Sequence, residues 1–236
     1  MRAAGLLPLL AVLAACAATP GTTPGPAPVD LPVAGPAAGG ARLGITSIRA
    51  RRFLTTIRQR TDYSCGSAAV ATLLTHHYLT PTTEEEVFHA MMAVGDPEII
   101  RTAGFSLLDM QRFLAARGLR SNGFRVPLDR LAQARIPAIV LVNAGGYRHF
   151  VLLRGATEGR VLLSDPNQGT RVMRRADFER IWNGIAFVVL DRAELAQATF
   201  GGADDWGVRP AAPFTAVRSL MDGGRVGFDA FGGRFF

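Results

Sequence analysis

Apolar positions change period along this 236-residue chain, and the change divides it into unlike parts. Asp62 and Ser64 are helix-capping residue types, and after them Val70, Leu73, Leu74 and His77 recur at the i, i+3, i+4, i+7 spacing of an amphipathic helix. A helix is therefore expected to start at Cys65. Thr83 and Glu86 stand at capping-box spacing after Pro81 and open a second helix through Met92, with Glu84-Glu85-Glu86 as first-turn partners of its dipole. A third begins near Ser106, with Asp109 three residues on, and stops at Gly118.

From Leu119 the pattern shortens. Leu119 to Val126 reads as a short strand or extended link. Pro137 to Asn143 is a compact apolar run, Ala144-Gly145-Gly146 a turn, and His149 to Arg154 a second run. Arg160 to Asp165 follows the turn at Glu158-Gly159, Pro166 and Gly169 end it, and Thr170 to Met173 can pair back. Asp177 to Trp182 gives a helical turn or two before a last strand, Ile185 to Leu190. Helices come first and an antiparallel sheet second, which is an α+β layout.

The flanks differ from this body. Arg2, the apolar run Leu6 to Leu13 and then Leu13-Ala14-Ala15-Cys16 have the order of a secretory signal, too short to span a bilayer. A cysteine after Leu-Ala-Ala resembles a bacterial lipobox, so residues 1–15 are expected to be a signal cut before Cys16, whose acylation anchors the chain. Ala17 after that cysteine implies outer-membrane sorting in a Gram-negative envelope, facing the periplasm. Residues 16–42 are mostly Ala, Pro, Gly and Thr and read as a flexible tether; 43–197 form one domain; 198–236 are a Gly- and Phe-rich tail.

Charge narrows the function classes. The formal charge is +7 and Arg supplies every basic side chain, since Lys is absent. The arginines are scattered without interleaved aromatics, which argues against nucleic acid. Absence of Lys also removes the phosphate-cradling motif that ends in it, so no nucleotide cofactor is expected. His76, His77 and His89 have no ligand spacing and read as packing or surface residues, so no metal is expected.

Cys65 is the one cysteine outside the amino-terminal segment. A lone thiol in an exported protein is open to oxidation or wrong pairing, which suggests a use, although a small buried hydrophobe remains the alternative. At a helix amino terminus the unpaired amides favour a thiolate. Gly66-Ser67-Ala68-Ala69 lets another layer approach that first turn. Downstream, His149 and Asp165 complete the residue types a thiol enzyme needs.

Gln59, Asp62-Tyr63-Ser64-Cys65-Gly66, His149-Phe150-Val151-Leu152-Leu153, Asp165-Pro166, Phe178 and Trp182-Asn183-Gly184 occur in that order between about Phe53 and Leu190. Together they resemble the C39 peptidases, whose papain-like fold packs amino-terminal helices on an antiparallel sheet. The resemblance implies Cys65 as nucleophile, His149 as base, Asp165 as its orienter and Gln59 in the oxyanion hole. It also implies an exported peptide or protein substrate. Best-known members are fused to a transporter and cut after two glycines. This chain resembles instead the free-standing forms found with envelope and functional-amyloid secretion systems, so a secretion-system partner is implied. Two alternatives stand beside an envelope-anchored cysteine endopeptidase: a non-catalytic peptide-binding module, and a papain-like hydrolase of cell-wall peptides.

Overall fold

The computed structural model describes residues 29–32, 42–45 and 47–207. Cys16, the signal segment and the chain beyond residue 207 lie outside them. A short antiparallel pair, β1 (Val29–Pro32) with β2 (Arg42–Ile45), comes first, so part of the expected tether is paired with the start of the body. Then follow α1 (Ile48–Arg52), α2 (Cys65–His77), α3 (Glu84–Val94), α4 (Pro97–Ala103) and α5 (Leu107–Ala116). The second half alternates: β3 (Ser121–Arg125), α6 (Leu128–Ala134), β4 (Ala138–Ala144), β5 (Tyr147–Ala156), β6 (Arg160–Asp165), β7 (Gly169–Arg174), α7 (Arg175–Ile181) and β8 (Trp182–Val189). Two short helices close it, α8 (Ala193–Thr199) and α9 (Ala203–Trp206).

The expected α+β layout is present, with helices packed on an antiparallel sheet of order β3-β8-β4-β5-β6-β7. Its central strands are apolar at successive positions because both faces are covered. Phe150 and Leu152 of β5 pack with Ala69, Val70 and Leu73 of α2. The alternate positions Val151 and Leu153 pack with Leu128 and Leu131 of α6 and Phe178 of α7. Gly145 and Gly146, at φ of 62° and 90°, turn β4 into β5 and set Val142 opposite His149.

One helix departs from expectation. The Val70, Leu73, Leu74, His77 stripe implied an exposed opposite face on α2, but the helix is buried at every position from Cys65 to Leu74. Small side chains allow it. A Cβ built on Gly66 would lie 2.8 Å from the Met110 Cε and 3.1 Å from the Phe105 Cβ, so α5 and the residue before its cap pack directly on the first turn.

The domain also continues past residue 197, which falls inside α8. Arg154 of β5, its side chain 4% exposed, pairs with Asp205 of α9 at 2.7 Å. It also donates to the Thr55 carbonyl at 2.9 Å and to Ser164 Oγ at 3.1 Å. Trp206 packs over Gly155, and Gly201 N–H donates to the Arg154 carbonyl at 2.7 Å. A composition rich in glycine hid this segment, because its hold on the body is a set of single contacts, among them the Asp205 ion pair, the Trp206 indole and the buried Phe200, rather than a periodic apolar face.

Removing Asp205 would leave a buried guanidinium without its countercharge. Asp205→Ala should therefore lower unfolding stability in urea by about 3 kcal/mol. A loss within about 0.5 kcal/mol, the ordinary surface value, would mean that the bonds to Thr55 and Ser164 suffice.

Candidate active site

Cys65 is the first residue of α2 and is 7% exposed. Ser64 precedes it but does not cap the helix as expected. Its Oγ turns back instead, accepting from the amides of Arg60 at 3.3 Å and Thr61 at 3.1 Å and donating to the Thr61 carbonyl at 3.1 Å. Two things follow. The loop carrying Gln59 is fastened to the helix start, and the first-turn amides take no side-chain cap, which leaves an end of helix that favours negative charge.

His149 stands near the start of β5 and Asp165 at the end of the neighbouring β6. Strand pairing brings them together: His149 Nε2 donates to Asp165 Oδ1 at 2.8 Å, with both side chains buried. That bond places the proton on Nε2 and leaves Nδ1 for the other side of the ring. Nδ1 is buried and makes no hydrogen bond among the described residues. Cys65 is nevertheless close enough to act on it. Burial pushes the imidazole down, but the bond to Asp165 and the Cys65 thiol outweigh burial and raise it to about 9.

Asp165 is held as a carboxylate from several directions. Burial pushes it up, while the His149 bond, the Asn167 amide and Arg171 pull it below the usual range and prevail. Oδ1 accepts from Asn167 N–H at 2.9 Å and Gln168 N–H at 3.2 Å, and Arg171 lies 3.3 Å from Oδ2. These bonds close the turn between β6 and β7. Pro166 within that turn accepts from Gln59 N–H at 3.0 Å, so the turn that fixes Asp165 also fixes Gln59.

Gln59 uses one amide hydrogen, donating from Nε2 to the Thr61 carbonyl at 2.9 Å, and retains a second. Its carboxamide and Cys65 both neighbour the phenol of Tyr147, which itself stacks on His149, so the residues singled out in the sequence gather around that ring. Tyr147 itself had no assigned role, though its position two residues before His149 on a strand places both rings on one face.

Other candidates lie elsewhere. His77 is fully buried with Nδ1 2.7 Å from Thr199 Oγ1, and burial with Arg154 nearby pushes it down to about 3. His89 is exposed beside Glu85. Of the three glutamates, Glu84 is buried and accepts from Ser67 Oγ at 3.1 Å, Glu85 pairs with Arg60, and Glu86 pairs with Arg117. Among the described residues no group of three or more His, Cys, Asp or Glu side chains could hold a metal, and no helix is long and apolar enough to cross a membrane.

Comparison with known proteins gives a consistent set. A model of the peptidase C39 family matches residues 54–194. Over 146 residues, 62% of this chain, the sequence is 44% identical to a Pseudomonas aeruginosa protein named probable functional amyloid protease FapD. It is 43% identical over the same length to the Pseudomonas fluorescens protein of that name. The match spans 65% of the length of each of these curated relatives. The solved peptidase domain of Streptococcus ComA, a bifunctional ABC transporter involved in a quorum sensing pathway, is 17% identical with a TM-score of 0.49. That alignment covers 57% of this chain and 96% of the domain.

The raised pKa gives the pH test. His149 should stay protonated through neutral pH and lose its proton near 9, readable by NMR of the imidazole. Asp165→Asn should bring that titration down towards the ordinary 6.5, because the largest attraction is removed. A wild-type titration already near 6.5 would contradict the coupling described.

Proposed function

The chain belongs to the peptidase C39 family, and on that premise we propose that it is an envelope-anchored cysteine endopeptidase that cleaves an exported polypeptide. One observation carries the reading: an imidazole fixed by a buried carboxylate through Nε2, with its unbonded Nδ1 available to the thiol at a helix start. The papain-like arrangement of helices on an antiparallel sheet is the one the resemblance implied.

In the proposed reaction the Cys65 thiolate attacks the scissile carbonyl carbon and forms a C–S bond, and the carbonyl π pair moves to oxygen. The oxyanion is met by the Cys65 amide and the free N–H of Gln59. Collapse breaks the C–N bond as His149 gives its proton to the departing amine, leaving a thioester. Water then attacks the thioester and gives a proton to His149, and the acid product leaves as the thiolate is restored. Asp165 holds the ring in one tautomer and offsets its charge throughout. The name of the FapD relatives suggests a protein of a functional amyloid system as substrate, and the family resemblance implies secretion partners nearby.

Paired measurements on variants test the roles. Cys65→Ala should abolish processing with the fold intact, and full processing by it would promote a peptide-binding role instead. His149→Ala should be nearly as damaging, and Asp165→Asn should lower the rate strongly without necessarily abolishing it. Gln59→Ala should leave alkylation of Cys65 by a small reagent almost unchanged, since no oxyanion forms. It should cut peptide turnover by on the order of 100-fold, and equal slowing of both reactions would overturn its assignment. Release of soluble fragments from cell walls would favour the cell-wall hydrolase.

The anchor is tested separately. It rests on Leu13-Ala14-Ala15-Cys16. Cys16→Ala should prevent incorporation of labelled fatty acid and leave the protein soluble or unprocessed. An unlabelled wild-type chain would remove the anchor from the proposal.

A further inference from the structure

One hydrogen bond does not immobilise a ring. The bond from His149 Nε2 to Asp165 fixes one end of the imidazole, but the plane can still swing about that axis, since Nδ1 has no bonded partner among the described residues. A swing would turn Nδ1 away from Cys65. Something must bear on the face of the ring.

Tyr147 does so. It begins β5, and period-two alternation places it on the same face as His149. The two rings stack with centroids 5.6 Å apart and planes inclined by 25°. A tyrosine face against an imidazolium is attractive, because the negative π surface meets the cation. The tyrosine remains 49% exposed while the histidine behind it is 6% exposed, so the phenol ring stands between the imidazole and water. Burial first, then Cys65, Asp62 and Asp165, push the phenol up and outweigh the opposing Gln59 side chain, so it stays neutral and adds no charge to the pair.

We propose that Tyr147 is a positioning residue for the Cys65–His149 pair, a cover on the imidazole that stops its rotation and keeps water from screening its partners. The proposal rests on those two residues being the reacting pair, but the readouts below need no peptide substrate. Their outcome is therefore independent of which polypeptide is cleaved, or whether any is.

The sign of the effect follows from the balance at His149. Attraction to Asp165 and Cys65 outweighs the burial penalty, so admitting water weakens both and moves the titration back towards its ordinary value. Tyr147→Ala should lower the His149 titration from about 9 towards 6.5, read by NMR. It should also slow alkylation of Cys65 by iodoacetamide at pH 6 by on the order of tenfold, because an imidazolium that is less well held lends the attacking sulfur less support. Tyr147→Phe keeps the stacked ring and should match wild type in both within about twofold, the ordinary spread of a conservative surface change.

Tyr147→Leu keeps bulk without a π face and should fall between the two; it also serves if the alanine variant perturbs the hairpin, as judged by circular dichroism. Unchanged titration and alkylation in both Tyr147→Ala and Tyr147→Leu would overturn the proposal. So would a Tyr147→Phe variant as impaired as Tyr147→Ala, because the hydroxyl and not the ring would then be the acting group.

Discussion

The carboxylate of Asp165 is the point on which the site's geometry depends. It is almost wholly buried, and a charge in that position persists only when its lone pairs are taken up. Four donors do this: the His149 ring, the amides of Asn167 and Gln168, and the Arg171 guanidinium. Each satisfies the charge and at the same time fixes a piece of chain. The two amides shape the turn between β6 and β7, the turn's Pro166 carbonyl holds the Gln59 segment, and the histidine locks the adjacent strand in register.

Behind this pair lies a second buried charge system with a different purpose. Arg154 sits on β5, five residues past His149, and Ser164, one of its acceptors, is next to Asp165. Buried ion pairs add little net stability over an apolar filling, but an unpaired member is costly. The arrangement therefore acts as a geometric constraint: Thr55, Ser164 and Asp205 must all reach one guanidinium, which ties the chain before α2, β6 and the last short helix together.

Local signals were legible in the sequence wherever a short stretch carries its own instruction. Ser106 and Asp109 form the reciprocal capping box that their spacing announces, and Thr83 accepts from the Glu86 amide. Gly145-Gly146 turns the hairpin, which put His149 near a strand start. What escaped depends on distant partners. α6 follows Pro127 with no side-chain cap, so it has no entry signal, and α4 was not expected either, although Asp96 caps it and Pro97 opens it. Ser64 looked like a cap and instead closes the loop before it. α2 read as amphipathic because its outward positions are small rather than polar, and only the folded chain reveals that Ala68 and Ala71 are interior. Tyr147 was in view and silent, since a ring on the neighbouring face is a fact about pairs.

The strand order has a consequence in time. Among the described residues β3 pairs in the sheet with β8 alone, and β8 is also the strand that joins it to β4, so a sheet edge made early waits for the last of the sheet's described strands. A polypeptide emerging amino-terminus first, from a ribosome or a translocon, presents Cys65 long before Trp182–Val189 is out. Through that interval the thiol belongs to an unfinished protein. The strands that carry His149 and Asp165 therefore cannot sit in the finished sheet until Trp182–Val189 has followed them out.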